Sequence, residues 1–351
     1  MITNFNNLPV GNLPYEDIQL CKQMMLRLFE KIPFLPELPL MNNRDEIIQR
    51  TLENIPCYQF KDGKILIADS ENETLLSTQI KLEKIYNSSS PYNLDMYSTI
   101  TPFFNMYIEI LKRIKPKNTV INLIGPFTLA NSFINRNASV ILLDKVYRKY
   151  IIYTIVTKAL WYITKIKEAS PNTVPIIMLN EKMLYKYGTL IRTNENITKD
   201  TIILLLSKVT NRIKKEGALV GIQSFEKCNW QLVFDAQGTD IISFDAYNNP
   251  SNLNIIADSV NKFLAGGGYI NWGIVPVMNE NVIRSLNINT IQNRFFSTID
   301  SLAAAGVSKD LILKNSTISV QGDLSKYPII FAEKALMLAN QLGDKLPQKT
   351  A

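Results

Sequence analysis

The sequence predicts an α/β protein, a (β/α)8 TIM barrel, and three observations carry that prediction. Short β-branched apolar runs alternate with longer segments whose apolar residues recur every three or four positions. The strand candidates are apolar throughout rather than alternating, which argues for a parallel sheet covered by helices on its faces. Helical stretches stop at glycine before the next strand, as at Gly217 and Gly266, the residue that ends helices without a Cβ penalty. A chain of 351 residues is long enough for one such barrel.

Taken in order, "NLPVGN" (7–12) and "KIPFLPEL" (31–38) supply the first two strands. "NTVINLI" (118–124), "TVPIIML" (173–179), "ALVGIQ" (218–223), "DIISFD" (240–245), "GYINWGIV" (268–275) and "STISVQ" (316–321) supply six more. Eight is the barrel count. Residues 41–117 then form an insertion between the second and third strands, packed on a single domain spanning 1–351. Within it, "YQFKDGKILIA" carries a hairpin turn signal. "TIILLLSKVTNRIKKEG" and "SNLNIIADSVNKFLAGGG" read as helices between strands. A doubly wound open sheet is the alternative, but neither GxGxxG nor a P-loop supports a nucleotide version. "GGGY" (266–269) reads as a helix-to-strand turn, not a phosphate cradle.

Composition excludes several chemistries. The chain contains no histidine, so a Ser-His-Asp triad and imidazole metal ligation are absent from a single chain. Hydrophobic residues make up 46% and charged residues 20%, a globular balance that excludes extended disorder. The net charge of +7 is scattered, and its densest runs, "LKRIKPK" and "NRIKKEG", fall at helix ends, where cations complement the helix dipole. Nucleic-acid binding therefore gains no support. Cys21, Cys57 and Cys228 are isolated and odd in number, which favours a reducing cytosol. The N-terminus lacks the basic start and apolar core of a signal peptide. The most apolar helix, "YIIYTIVTKALWYITKI", is interrupted by Lys158 and is short for a membrane span. The expectation is a cytoplasmic protein with no membrane contact.

Active sites of such barrels lie at the C-terminal ends of the strands. There the sequence places Asn12 with Tyr15, Asn180 with Glu181, and Gln223 with Ser224 and Glu226. The turn Gly125-Pro126-Phe127-Thr128, Asp245 with Tyr247, then Trp272, Pro276, and Gln321 with Asp323 complete the set. Amides, carboxylates and aromatics on one face suit a small polar ligand. Glu181 and Asp245, partly desolvated there, are the candidate acid–base groups. The competing reading is that such residues cap helices and close loops.

These same residues carry a resemblance. "VGNLPYEDIQLC", "KIPFLPELPL", "IGPFTLANSF", "LNEKML", "GIQSFEKCNW", "IISFDAY" and "GGGYINWGIVPV" follow one another from about residue 8 to 325. In that order the chain resembles the catalytic domain of cobalamin-independent methionine synthases, in the superfamily of uroporphyrinogen decarboxylase. The resemblance implies a barrel methyltransferase that holds a thiol substrate on zinc. It also places the four zinc-ligand positions at Gln223, Phe225, Asp245 and Gln321 or Gly322. Only Asp245 is a residue type the family uses there, so no metal and no other cofactor is expected. Cys228 lies three residues beyond Phe225, without a second soft ligand. The family's Gly-Ser becomes Gly11-Asn12, and its Asp-Glu-Pro becomes Asn180-Glu181-Lys182. The implied function is methionine-synthase-like, with zinc-dependent methyl transfer to a thiol altered or lost. The partner is then a small molecule, an amino acid or a thiol. A non-catalytic ligand-binding or interaction protein on the same barrel is the alternative. A metal-free decarboxylase comes third, because no dense arginine cluster awaits a polycarboxylate.

Overall fold

A computed structural model describes residues 2, 5–9, 11–42, 45–61, 64–88 and 101–346. Val10 of the first expected strand, the Asp62–Gly63 turn, and residues 43, 44 and 89–100 of the expected insertion lie outside them. The strands are β1 (Tyr58–Lys61), β2 (Lys64–Ile67), β3 (Asn118–Ile124), β4 (Val174–Asn180), β5 (Leu219–Ser224), β6 (Ile241–Asp245), β7 (Tyr269–Val275) and β8 (Ser316–Val320). β3 to β8 form one six-stranded parallel sheet in chain order. Helices lie between successive strands, among them Lys145–Ala169, Lys199–Lys214, Ala257–Ala265 and Ile288–Ala304. Each of the six begins within one residue of its sequence expectation, because β-branched runs and their flanking turns mark it.

The two N-terminal segments differ from expectation. The described residues of 7–12 and 31–38 are not regular strands; they touch the sheet and each other through single parallel bridges. Asn7 bridges Ile318, Asn12 bridges Glu37, and Phe34 bridges Val120. Leu8 N donates to the Ile318 carbonyl at 2.7 Å, Glu37 N to Gly11 at 2.7 Å, and Leu35 N to Val120 at 3.0 Å. Pro9, Pro33 and Pro36 explain the interruption, since proline has no N–H for a continuous ladder. The result is an α/β TIM-like fold: a six-stranded parallel sheet whose two edges are each met by an N-terminal segment.

β1 and β2 pair antiparallel, and Tyr58 of this hairpin stacks on Phe133 with centroids 5.6 Å apart. The Lys145–Ala169 helix starts at Asp144, whose carboxylate accepts the Val146 N–H at 2.6 Å. Lys158, the charge that interrupts this apolar helix, is fully buried and donates to Glu53 at 2.9 Å. Arg50, also buried, holds Asp45 through Nε at 3.0 Å and donates to the Pro36 carbonyl at 2.6 Å. These pairs fasten residues 45–55 between the helix and the sheet edge. Gly217 has φ +77° after the Lys199–Lys214 helix; after Ala265 the left-handed residue is Gly267, φ +88°, rather than Gly266. The GGGY stretch is thus a turn. No helix among the described residues is long and apolar enough to cross a membrane.

Candidate active site

The inner face of the sheet is polar where a buried parallel sheet is ordinarily aliphatic. Register places Asn180, Gln223, Ser243, Asn271 and Thr317 side by side in one row across β4 to β8. The next row toward the strand ends holds Asp245, Gly273 and Ser319. Asn271 knits the belt together. Its amide donates to Ser243 Oγ at 2.9 Å and Ser319 Oγ at 3.1 Å, and accepts from Thr317 Oγ1 at 2.9 Å. Such a satisfied network tolerates burial that isolated polar groups would not.

Above the belt, the C-terminal strand ends gather the positions that the resemblance assigns to zinc ligands. Asp245 Oδ2 accepts from Gln321 Nε2 at 3.0 Å, and both its oxygens accept from Asn248, at 2.8 Å from the backbone and 2.7 Å from the amide. Burial raises the Asp245 pKa, and these hydrogen bonds oppose the rise. The Phe225 ring lies over Gly273, where a Cβ would come within 3.2 Å of it and 2.7 Å of the Phe244 carbonyl. Gln223 is buried on the adjoining strand β5. Gln223, Phe225, Asp245 and Gln321 therefore share one corner of the mouth, and Gly322 adjoins it beside Val277.

Those donors do not fit zinc. A tetrahedral site needs thiolate, imidazole or carboxylate ligands, and this corner offers two neutral amides, a phenyl ring and one carboxylate. Cys228, the nearest thiol in sequence, is pushed up to about 12 by burial, so it stays protonated at neutral pH. Among the described residues no group of three His, Cys, Asp or Glu side chains could hold a metal.

The opposite side of the mouth contains what the sequence reading missed. Glu37 is buried on the inner side, and burial pushes its pKa up to about 7, against the pull of Arg50. Its carboxylate and the Asn122 amide crowd Gly11 so closely that any Cβ there would overlap Glu37. Asn122 Nδ2 is buried without a hydrogen-bond partner among the described residues, a donor whose unmade bond is costly unless a ligand fills it. Asp323 stands near enough to raise Glu37 further. Polar residues inside otherwise apolar strands were the available signal: Asn122 in "NTVINLI", Ser243 in "IISFD" and Asn271 in "YINWGIV".

The remaining candidates take other places. Glu181 is fully buried and accepts from Phe127 N at 2.9 Å, Thr128 N at 2.7 Å and Thr128 Oγ1 at 2.7 Å. It caps the Pro126–Ala130 helix, so its carboxylate is committed to structure rather than open to a substrate, even though burial raises its pKa to about 7. Trp272 faces the helical layer, correcting its expected place at the mouth. Its indole donates to Ser316 Oγ at 2.8 Å and it packs edge-on to Phe295. The period-2 rule puts Trp272 opposite in direction to inward Asn271. Tyr15 donates to Glu333 at 2.6 Å on the Ile329–Lys345 helix. The Tyr247 carbonyl accepts from Arg294 Nη2 at 2.5 Å. Asn180 closes a local turn onto Lys182 N at 3.2 Å, Ser224 Oγ reaches the Glu226 carbonyl at 3.4 Å, and the Glu226 side chain is exposed. Asn12 is half-buried beside Glu37.

No protein-family model matches the chain, and no curated protein matches it in sequence. Solved structures do match in shape. A methyltransferase from Methanosarcina mazei superposes with a TM-score of 0.54 at 11% identity, over 97% of this chain and 93% of that one. A B12-independent methionine synthase from Shewanella sp. W3-18-1, solved with selenomethionine, gives 0.56 at 12% identity, over 97% and 95%. At such identities the likeness is one of fold: nearly the whole chain has the TIM-like architecture of these methyltransferases.

Proposed function

We propose that this chain is a methionine-synthase-like protein that binds a small ammonium-bearing molecule, an amino acid or amino thiol, without zinc-dependent methyl transfer. In this reading the N-terminal segments close the sheet into an eight-stranded barrel, and the whole chain is one domain with residues 41–117 as an insertion. The observation that carries the proposal is the split character of the mouth. One side holds the Glu37 carboxylate and the unpartnered Asn122 amide around Gly11. The other holds Phe225 and amides where a zinc–thiolate centre would require soft ligands.

Glu37 supplies a negative charge for an ammonium, and Asn122 supplies a neutral donor for a carboxylate or carbonyl oxygen. A charge-assisted hydrogen bond is roughly twice as strong as a neutral one, so Glu37 carries most of the discrimination. Because its pKa is raised to about 7, ammonium binding strengthens as the pH rises through that value and Glu37 ionises. Calorimetry with L-methionine and L-homocysteine at pH 6 and pH 8 tests this. The expected result is tighter binding at the higher pH, with Glu37→Gln weakening it about tenfold and erasing the pH dependence. Equal binding by wild type and Glu37→Gln would remove the proposal. Methyl transfer from a folate or corrinoid donor to a thiol, dependent on added zinc, would replace it with the ordinary enzymatic reading.

A further inference from the structure

Away from the mouth, the helical layer forms a half-open pocket. It measures about 360 Å³ and lies among the Glu73–Asn87, Lys145–Ala169 and Lys199–Lys214 helices, a size and setting typical of small-molecule pockets. Ile152, Leu204 and Leu205 give it an apolar lining; Leu204 is 51% exposed. The tyrosines Tyr86 and Tyr153 stand against each other with centroids 4.8 Å apart.

Its charge is unbalanced. Glu83 is the one acid on the wall, and it is already engaged by Lys149 at 3.1 Å and by the Tyr153 hydroxyl at 2.8 Å. Lys145, Arg148 and Lys208 have no acidic partner among the described residues. Arg148 donates only to the Leu142 and Leu143 carbonyls, at 2.7 and 3.3 Å. Among the described residues, three positive charges thus border an apolar pocket with no carboxylate against them. The walls are held in place without a ligand. Tyr86 OH donates to the Lys208 carbonyl at 3.2 Å, and Arg212 Nε to the Tyr86 carbonyl at 2.6 Å. Fixed walls lower the entropic cost of binding.

We propose that this cavity binds an amphipathic organic anion, a compact phosphate or carboxylate carried on an apolar body. The anion meets Lys145, Arg148 and Lys208, and the apolar body rests on Ile152 and Leu204 beside the paired tyrosines. The concave shape and apolar lining favour such a small molecule over a polyanion, which a charged surface alone would attract. None of these residues belongs to the mouth, so the site stands or falls independently of the ligand proposed there.

Calorimetry on the full chain at low ionic strength, with phenyl phosphate, benzoate and inorganic phosphate, provides the test. Saturable binding of phenyl phosphate or benzoate is expected, the tighter of the two identifying the anionic group, and inorganic phosphate binding much more weakly. The exposed pair Lys145→Glu/Lys208→Glu should lose at least about tenfold in affinity, and Leu204→Asp should lose a similar amount. Lys262→Glu/Lys314→Glu, the same charge change elsewhere, should lose nothing, as should Glu37→Gln. Circular dichroism of each variant confirms that it folds. Absence of saturable binding to both organic probes would overturn the proposal. So would equal losses in the two lysine pairs, inorganic phosphate binding as well as phenyl phosphate, or a single-stranded polynucleotide displacing the probes through the same lysines.

Discussion

Glu37 and Glu181 present two buried carboxylates with raised pKa values and different fates. Glu181 is saturated by three donors from the Pro126–Ala130 helix, whereas Glu37 shares its surroundings with an amide that lacks a partner. For Glu37 the folded pKa of about 7 lies above the unfolded value near 4.3. Between those values the folded chain keeps a proton that the unfolded chain has released, so stability falls as pH rises across that window and levels off above it. Urea unfolding at pH 5 and pH 7.5 should show wild type losing more stability over this interval than Glu37→Gln, by about 1–3 kcal/mol. Parallel curves for the two proteins would mean that Glu37 is not the buried titrating acid described here. Sequence alone proposed Glu181 and passed over Glu37, because strand-end position was legible while burial and hydrogen-bond saturation depend on tertiary neighbours.

At the scale of elements, Gly125 and Glu181 form one device. The Gly125 position would drive any Cβ into the Glu181 carboxyl, and that carboxylate in turn takes the N–H groups a short helix cannot pair internally. Gly125→Ala should therefore cost about 1–3 kcal/mol by overpacking. Adding Glu181→Ala should cost less than the sum of the two separately, since the first change already displaces the cap. Full additivity in a double-mutant cycle would disprove the coupling. The six regular strands were legible because continuous β-branched runs leave no other reading of comparable length. The first two were legible in place but not in regularity, as Pro9, Pro33 and Pro36 break their ladders. Trp272 was misplaced because a strand's length is easier to read than its facing. Its neighbours Asn271 and Gly273 already marked the inner side.

Across the whole molecule, a buried ion pair joins segments distant in the chain. Lys158 and Glu53, 105 residues apart, are both buried at 2.9 Å; the buried Arg50–Asp45 pair beside Glu37 is local, five residues apart. Burial lowers the Lys158 pKa while Glu53 raises it. Lys158→Met alone should destabilise by about 3–5 kcal/mol, because Glu53 loses its buried cation; Lys158→Met with Glu53→Leu should recover most of that. Chemical denaturation of the three proteins checks it, and a Lys158→Met chain as stable as wild type would show that the pair does not hold this segment down. At this scale the sequence revealed Lys158 as an interruption but not its partner, since contacts over such separations leave no local pattern.

The proposal that unites these scales is that a mouth built on the TIM-like fold of methyltransferases carries a donor set that does not fit zinc. Metal analysis of the purified full chain after exposure to zinc tests it most directly. Well under one zinc per chain after desalting is the predicted result, unchanged in Asp245→Ala. One tightly held zinc per chain, lost in Asp245→Ala, would contradict it.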